Sequence, residues 1–175
     1  MKILISGGGI GGLTAALCFL HHGAEVTVLE QAPKLGEVGA GIQSPPNAMK
    51  VFAALGLDAA LAETAFRPLA IEARMGRSGR ELFHIPLAEH AVKRWGAPYL
   101  HIHRTDYIAV LAAALRAQSP DALQLGSEVA DYSQTEDTVE VQLADGRRMS
   151  GNALIGADGI HSPVREQMLG AEKPI

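Results

Sequence analysis

The chain has 175 residues, of which 47% are apolar and 19 are glycine, a composition typical of a globular α/β protein rather than a disordered or fibrous one. Its net charge of −4 and its scattered basic residues argue against a nucleic-acid partner. One cysteine, Cys18, excludes an internal disulfide, and no apolar run reaches the roughly 20 residues of a membrane span, so we expect a cytoplasmic protein with no membrane partner.

The first thirty residues predict a strand, a glycine turn, a helix and a second strand. Ile3–Ser6 is apolar and leads directly into the glycines of SGGGIGG. Gly23 ends the helix, and Glu25–Glu30 is apolar enough for a buried parallel strand. Apolar residues recur at helical spacing at Leu13, Ala16, Leu17 and Leu20. A βαβ unit is therefore complete by residue 30.

The middle of the chain predicts a loop, a helix, a hairpin and a long helix. Gly36–Asn47 is a loop rich in glycine and proline, and Gly56 ends the helix that follows. Residues 69–85 alternate as an amphipathic hairpin, and 104–118 have helical spacing. In the helix that Gly56 ends, the predicted buried face comprises Ala48, Val51, Phe52 and Leu55. In the helix at 104–118, it comprises Ile108, Leu111, Ala112 and Leu115.

The last third predicts three short strands and a return to the parallel sheet. The strands are 127–133, 138–143 and 147–150, with Asp145-Gly146 as a hairpin turn between the last two. Residues 153–157 are apolar throughout, as expected of a strand buried on both faces. Ser162 and Pro163 then predict the start of a helix.

The first glycine turn predicts a dinucleotide site. Gly7, Gly9 and Gly12 form G-x-G-x-x-G between a strand and a helix, where backbone can approach a pyrophosphate at the helix N-terminus. Glu30 ends the next strand at the spacing expected of a residue that binds ribose hydroxyls, and its charge disfavours a 2′-phosphate. The alternative is a packing turn beside a surface glutamate.

The second glycine turn changes this prediction. A plain NAD dehydrogenase continues with strand–helix repeats, whereas this chain turns to a hairpin and a three-stranded meander. The stretch LIGADGIHSPVR then places Gly156, Asp158, Gly159, Ser162 and Arg165 in a pattern that resembles the Asp-Gly motif of class A FAD-dependent aromatic hydroxylases, which are similar to para-hydroxybenzoate hydroxylase. Residues 39–57 and 98–115 resemble salicylate and hydroxynicotinate hydroxylases.

The resemblance implies a Rossmann-like FAD/NAD(P)-binding fold, in which a parallel sheet is joined by a three-stranded meander and the start of a substrate-domain sheet. Residues 1–68 and 100–175 would form the FAD-binding domain, and 69–99 a hairpin of an incomplete substrate domain. The implied activity is hydroxylation of a small aromatic, phenol-like or a hydroxylated acid, with NADH or NADPH as co-substrate and O2 as oxidant.

The resemblance also implies cofactor contacts outside the first turn. Gly41 and Ile42 would approach the flavin ring, Arg104 would contact FAD, and backbone at Val129 would touch the adenine. The Asp158-Gly159 segment with Arg165 would help to hold FAD and the nicotinamide. Arg104 and Arg165 also stand in the first turn of a helix, where the dipole disfavours a cation unless a phosphate is bound. The alternatives are an ordinary flexible loop at 39–42, an exposed arginine at 104, a charge offset by Glu166 at 165, and a core valine at 129.

No catalytic acid or base is predicted. His101 and His103 alternate on a strand without a third ligand, so we assign no metal. His84 is either structural or faces a substrate, and Gln43 stands where some relatives have a histidine.

The resembling proteins continue for about as long again, so the sequence favours an N-terminal fragment of such an enzyme. Two alternatives stay open. The chain could be a non-catalytic FAD-binding remnant or half of a split flavoprotein that needs a C-terminal partner chain or a homodimer. It could also be an NAD-dependent dehydrogenase if the second motif is accidental.

Overall fold

The computed structural model describes residues 1–36 and 39–170, which fall into two compact units. The first unit combines Met1–Glu37 with Ile108–Ile175, and the second is Val38–Tyr107. In chain order the elements are β1 (Lys2–Ser6), α1 (Ile10–His21), β2 (Glu25–Leu29), β3 (Gly41–Ser44), α2 (Pro46–Ala54), α3 (Asp58–Glu63), β4 (Ala70–Arg74), β5 (Glu81–Pro86), α4 (Ala88–Trp95), β6 (Leu100–His103), α5 (Arg104–Gln118), β7 (Leu123–Gln124), β8 (Val129–Gln134), β9 (Val139–Leu143), β10 (Arg148–Gly151), β11 (Ala153–Gly156) and α6 (Pro163–Leu169).

The first unit is built on a parallel sheet with the strand order β11-β1-β2-β7. Strand β1 is buried along most of its length because it pairs on both sides, and Leu13 and Leu17 of α1 are fully buried. Ser6 lies opposite both Leu29 and Gly156, so β1, β2 and β11 end at one edge of the sheet. The predicted βαβ unit and the return of the chain to the parallel sheet are confirmed.

A three-stranded antiparallel meander, β8-β9-β10, completes the first unit. Its buried side chains form one core cluster with side chains from the parallel sheet and α6; the cluster comprises Leu4, Leu29, Val129, Val139, Val141, Leu143 and Val164. Gly146 has φ +88°, and its N–H donates to the carbonyl of Leu143 over 2.9 Å. The meander and its Asp-Gly turn are therefore confirmed.

The second unit contains two antiparallel pairs, β3-β6 and β4-β5, together with helices α2, α3 and α4. Ser44 and Tyr107 are buried, and their hydroxyl oxygens lie 3.0 Å apart. Burial raises the pKa of the Tyr107 phenol, and the Ser44 hydrogen bond partly opposes this. The hairpin β4-β5 occurs as predicted, but apolar side chains on its second strand are exposed, among them Leu82, Phe83 and Ile85.

Several predictions of detail were wrong. The predicted loop 36–47 contains β3, and α2 begins at Pro46, so Met49 and Phe52 are buried while Val51 is 40% exposed. Strand β11 is only partly buried, because it is the terminal strand of its sheet and pairs with β1 alone. Helices α3 and α4 and strand β7 were not predicted from the sequence.

The assignment of residues 1–68 and 100–175 to an FAD-binding domain, and of residues 69–99 to an incomplete substrate domain, stays a prediction. None of the described helices is long and apolar enough to cross a bilayer.

Candidate functional site

The first glycine turn joins β1 to α1, and close contact with backbone atoms requires glycine at two of its positions. Gly7 has φ +106°, and a Cβ there would lie 2.6 Å from the carbonyl carbon of Ala157. A Cβ on Gly12 would overlap the carbonyl oxygen of Gly7. These glycines let the turn and the helix lie directly against the end of the parallel sheet.

Gly9 is different, because nothing described lies within 4 Å of the position that its Cβ would take. It is the N-cap residue of α1 and gives no side-chain cap, and the first turn has no acidic residue. The N–H groups of a first helical turn lack intrahelical acceptors and carry the positive end of the helix dipole. The N-terminus of α1 therefore offers an uncapped cradle, open at Gly9, with the partial positive charge that attracts an anion.

Glu30 lies beside this cradle, at the end of β2. Its Oε2 accepts a hydrogen bond from the Gly8 N–H over 2.5 Å, and its Oε1 accepts from the Ala32 N–H over 2.8 Å. Each carboxylate oxygen retains a further lone pair. The backbone thus fixes the carboxylate where it can accept hydrogen bonds from ligand hydroxyls.

The second glycine turn lies next to the first one, because β11 pairs with β1. The Asp158 Oδ2 atom lies 3.5 Å from the Ser6 hydroxyl, which donates to it, and accepts from the Val164 N–H over 3.3 Å. Its Oδ1 is buried and has no hydrogen-bond partner among the described residues. A buried carboxylate oxygen without a donor is costly, so Oδ1 is an acceptor that a ligand hydroxyl would satisfy. Gly159 follows with φ +87°.

Helix α6, which follows this turn, is capped by the protein itself. The Ser162 hydroxyl accepts from the Arg165 N–H over 2.9 Å, as the sequence predicts, and Asp158 accepts from Val164. The Arg165 guanidinium donates to the carbonyl of Ile160 over 2.7 Å. Asp158 and Glu166 supply negative charge here, so the dipole argument for a phosphate at Arg165 loses its force.

The remaining predicted contacts fall in different places. The Val129 side chain is 4% exposed and belongs to the core, so only its backbone is available to a ligand. In the second unit, Gly41 pairs with His103 and Ile42 with Ile102, and Arg104 begins α5 with its N–H donating to the carbonyl of Ala40. Gly39 is a glycine for a local reason, because a Cβ there would lie 3.1 Å from that of Arg104.

The hairpin brings together three groups that could bind a metal, Glu72, Glu81 and His84. All three are exposed, and the Arg74 guanidinium lies 2.9 Å from Glu72 and 3.3 Å from Glu81. Hydrogen bonds from Arg74 and then His84 lower the pKa of the Glu72 carboxyl. Because a cation of the protein already contacts both carboxylates, we assign no metal to this group.

Sequence reasoning missed Gly8 and Ser6. A Cβ on Gly8 would lie 2.9 Å from that of Glu30, so this third glycine is needed for the carboxylate to approach the turn. The Ser6 hydroxyl joins the two turns through Asp158. The run of three glycines and the last residue of β1 are the signals that could have found them.

Comparison with known proteins adds an independent finding. A family model described as "FAD binding domain" matches residues 1–172. The chain is 40% identical over 173 residues to 3-hydroxybenzoate 6-hydroxylase 1 of Aquipseudomonas alcaligenes, covering 99% of this chain and 44% of that protein. It is 38% identical over 173 residues to 6-hydroxynicotinate 3-monooxygenase of Bordetella bronchiseptica, again covering 99% and 44%.

Among solved structures, Klebsiella pneumoniae HpxO complexed with FAD and uric acid is similar, with a TM-score of 0.80 and 32% identity. The alignment covers 98% of this chain and 42% of that one. The chain thus spans less than half the length of the proteins that it matches.

Proposed function

This chain belongs to the FAD binding domain family, and we propose from that premise that it provides the cofactor-binding part of an NAD(P)H- and O2-dependent monooxygenase. Its substrate would be a small hydroxylated aromatic acid. The predicted family and the Rossmann-like fold are confirmed. FAD, when bound, supplies the redox chemistry, and the residues of the chain bind and orient it.

One observation supports the proposal most strongly. The uncapped N-terminus of α1 lies at the sheet edge where β2 brings Glu30 and β11 brings Asp158. This edge offers an anion cradle, a fixed carboxylate and a buried carboxylate oxygen without a donor. A dinucleotide needs these three groups, for its pyrophosphate and for its hydroxyls.

The residues divide into roles by their chemistry. The backbone at Gly9 would hold the pyrophosphate, and Gly7 and Gly12 would serve the site by letting the turn and helix pack closely against the sheet. Glu30 would accept from ribose hydroxyls, and Asp158 Oδ1 would accept from another cofactor hydroxyl. Contacts to FAD from Gly41, Ile42, Arg104, Val129, Gly159 and Arg165 remain proposals based on the resemblance. No catalytic acid or base is proposed.

The names of the relatives support the substrate class. 3-Hydroxybenzoate and 6-hydroxynicotinate each combine an aromatic ring with a hydroxyl and a carboxylate. A ring made electron-rich by a hydroxyl is the kind that accepts an oxygen atom, and the carboxylate offers a handle for binding. We place the enzyme in the cytoplasm, where the free thiol of Cys18 stays reduced.

A second candidate is FAD binding without catalysis, or with it only after a partner chain or a second copy binds. It is favoured by exposed apolar side chains in the second unit, including Phe66, Leu69 and Phe83, which a partner could cover.

The experiment is to purify the protein with FAD and to measure NADH and NADPH oxidation with 3-hydroxybenzoate in air, while the hydroxylated product is followed by mass spectrometry. A yellow protein that forms the product supports the enzyme. A yellow protein without turnover supports the second candidate. A colourless protein that takes up no FAD contradicts both, and one that binds NAD alone revives the dehydrogenase.

A further inference from the structure

The second unit contains a cleft of about 540 Å³ that no predicted site residue lines. Helix α2 forms one side of it and the hairpin β4-β5 another, while the end of α4 and the residue before β6 complete it. Clefts of roughly 300–1,000 Å³ are the usual size for small-molecule ligands. This one is therefore large enough for a single substituted aromatic ring.

The walls of the cleft suit a flat apolar ligand. Ile71 and Ile85 line it from the hairpin, and Trp95 and Tyr99 contribute aromatic rings. Trp95 and Ile85 are 39% and 42% exposed, so the apolar surface is available. The Tyr99 hydroxyl donates to Gln43 Oε1, which fixes the tyrosine ring in place.

The cleft also has a cation. Lys50, on α2, lines it and makes no hydrogen bond or ion pair within residues 1–36 and 39–170. Its Nζ lies 3.9 Å from the position that a Cβ on Gly96 would take, at the C-terminal end of α4. Asn47, one turn earlier on α2, adds an amide donor to the lining. A lysine and an amide beside aromatic walls form the donor set that a carboxylate on a ring needs.

We infer that this cleft binds a small aromatic carboxylate, with the ring against Trp95, Tyr99 and the hairpin isoleucines and the carboxylate on Lys50. This inference rests on the proposed function, because the ligand belongs to the same chemical class as the proposed substrate. The binding itself requires neither FAD nor turnover.

Trp95 is the single tryptophan of the chain, so ligand binding can be read directly from its fluorescence. The experiment titrates the protein with benzoate, which absorbs little where tryptophan is excited, and with benzamide, which has the same shape without the charge. We expect saturable quenching by benzoate and much weaker binding of benzamide. Lys50→Gln should weaken benzoate binding about tenfold, as the loss of one charged hydrogen bond does, and leave benzamide unchanged.

Arg77→Gln is the matched control, because Arg77 is an exposed cation of the same unit and lines neither this cleft nor the neighbouring one that shares Trp95. It should bind benzoate as the wild type does. Ile85→Glu, at an exposed wall position, should abolish benzoate binding by like charge without unfolding the protein, which circular dichroism checks.

Three results would overturn the inference: no saturable quenching, equal binding of benzoate and benzamide, or unchanged benzoate binding in Lys50→Gln. If another segment of protein covers the cleft, benzoate will give no saturable quenching. Uptake of FAD is measured separately from flavin fluorescence. FAD binding without benzoate binding would therefore reject this inference alone, and the absence of FAD binding would reject the proposed function instead.

Discussion

Helices α1 and α6 both follow a parallel strand and a glycine turn, yet their N-termini are in opposite states. Helix α1 has a glycine N-cap and no side-chain cap, whereas Ser162 and Asp158 cap α6. The first helix therefore keeps its N–H groups for a ligand, and the second satisfies them from its own loop. Similar sequence signals can thus build either a binding site or a support for one, and the capping residues decide which.

The largest expected effect is on folding at the first turn. In Gly12→Ala the Cβ would overlap the Gly7 carbonyl, so we expect a loss of about 3 kcal/mol or more in the free energy of unfolding. Urea denaturation measures it. Gly11→Ala is the matched control, because its Cβ meets nothing within 4 Å, and it should be neutral or stabilising by up to about 1 kcal/mol. Equal stability of the two variants would contradict the packing described here.

The next largest effect is on FAD binding at the uncapped N-terminus of α1. Glu30→Gln keeps one acceptor but loses the charge, so we expect FAD to bind about tenfold more weakly in a flavin-fluorescence titration. Glu25→Gln, on the exposed start of the same strand, should bind FAD as the wild type does. Wild-type affinity in Glu30→Gln would remove Glu30 from the cofactor site.

At the capped N-terminus of α6, a substitution should change the free energy of unfolding but not the affinity for FAD. Ser162→Ala removes the cap on the Arg165 N–H and should cost about 1 kcal/mol in unfolding free energy. FAD affinity should stay within about twofold of that of the wild type. Ser133→Ala, at an exposed serine on β8, serves as the control. A loss of affinity as large as that of Glu30→Gln would mean that both helix ends take part in binding.

The smallest effect tests what Arg165 does. Arg165→Met loses the exposed hydrogen bond to the Ile160 carbonyl, so we expect a loss of about 0.5 kcal/mol in the free energy of unfolding and an FAD affinity within about twofold of the wild type. Arg165→Lys can still donate to that carbonyl and should recover most of the stability. A larger loss of FAD affinity in the methionine variant would mean that the guanidinium itself contacts the cofactor.

The sequence predicted both glycine turns and the strands that lead into them, because these features depend on residues close together in the chain. The spacing of Gly7, Gly9 and Gly12, and the apolar run before Asp158, are readable without a structure. What it could not predict depends on contacts between distant residues. The Ser6–Asp158 contact joins positions 152 residues apart, and the buried face of α2 depends on its start at Pro46.

The cleft was missed for a related reason. Helix α4 has the sequence AEHAVKRW, which spans only about two turns and buries Ala91 alone, so its apolar residues were too few to show a helical period. Because α4 was not predicted, the sequence did not indicate that Trp95 and Lys50 line the same cleft. Pairing of β3 with β6 was equally hidden, because the glycines and prolines around β3 are typical of a loop.

The most direct test of the account is the FAD affinity of Gly9→Ala, because space at Gly9 is open in the protein and needed only by a ligand. We predict that the wild type and Gly11→Ala bind FAD, while Gly9→Ala binds it at least about tenfold more weakly and keeps its unfolding free energy within about 1 kcal/mol of the wild type. Wild-type FAD affinity in Gly9→Ala, or no FAD binding by the wild type, would contradict the claim that the uncapped end of α1 holds the cofactor.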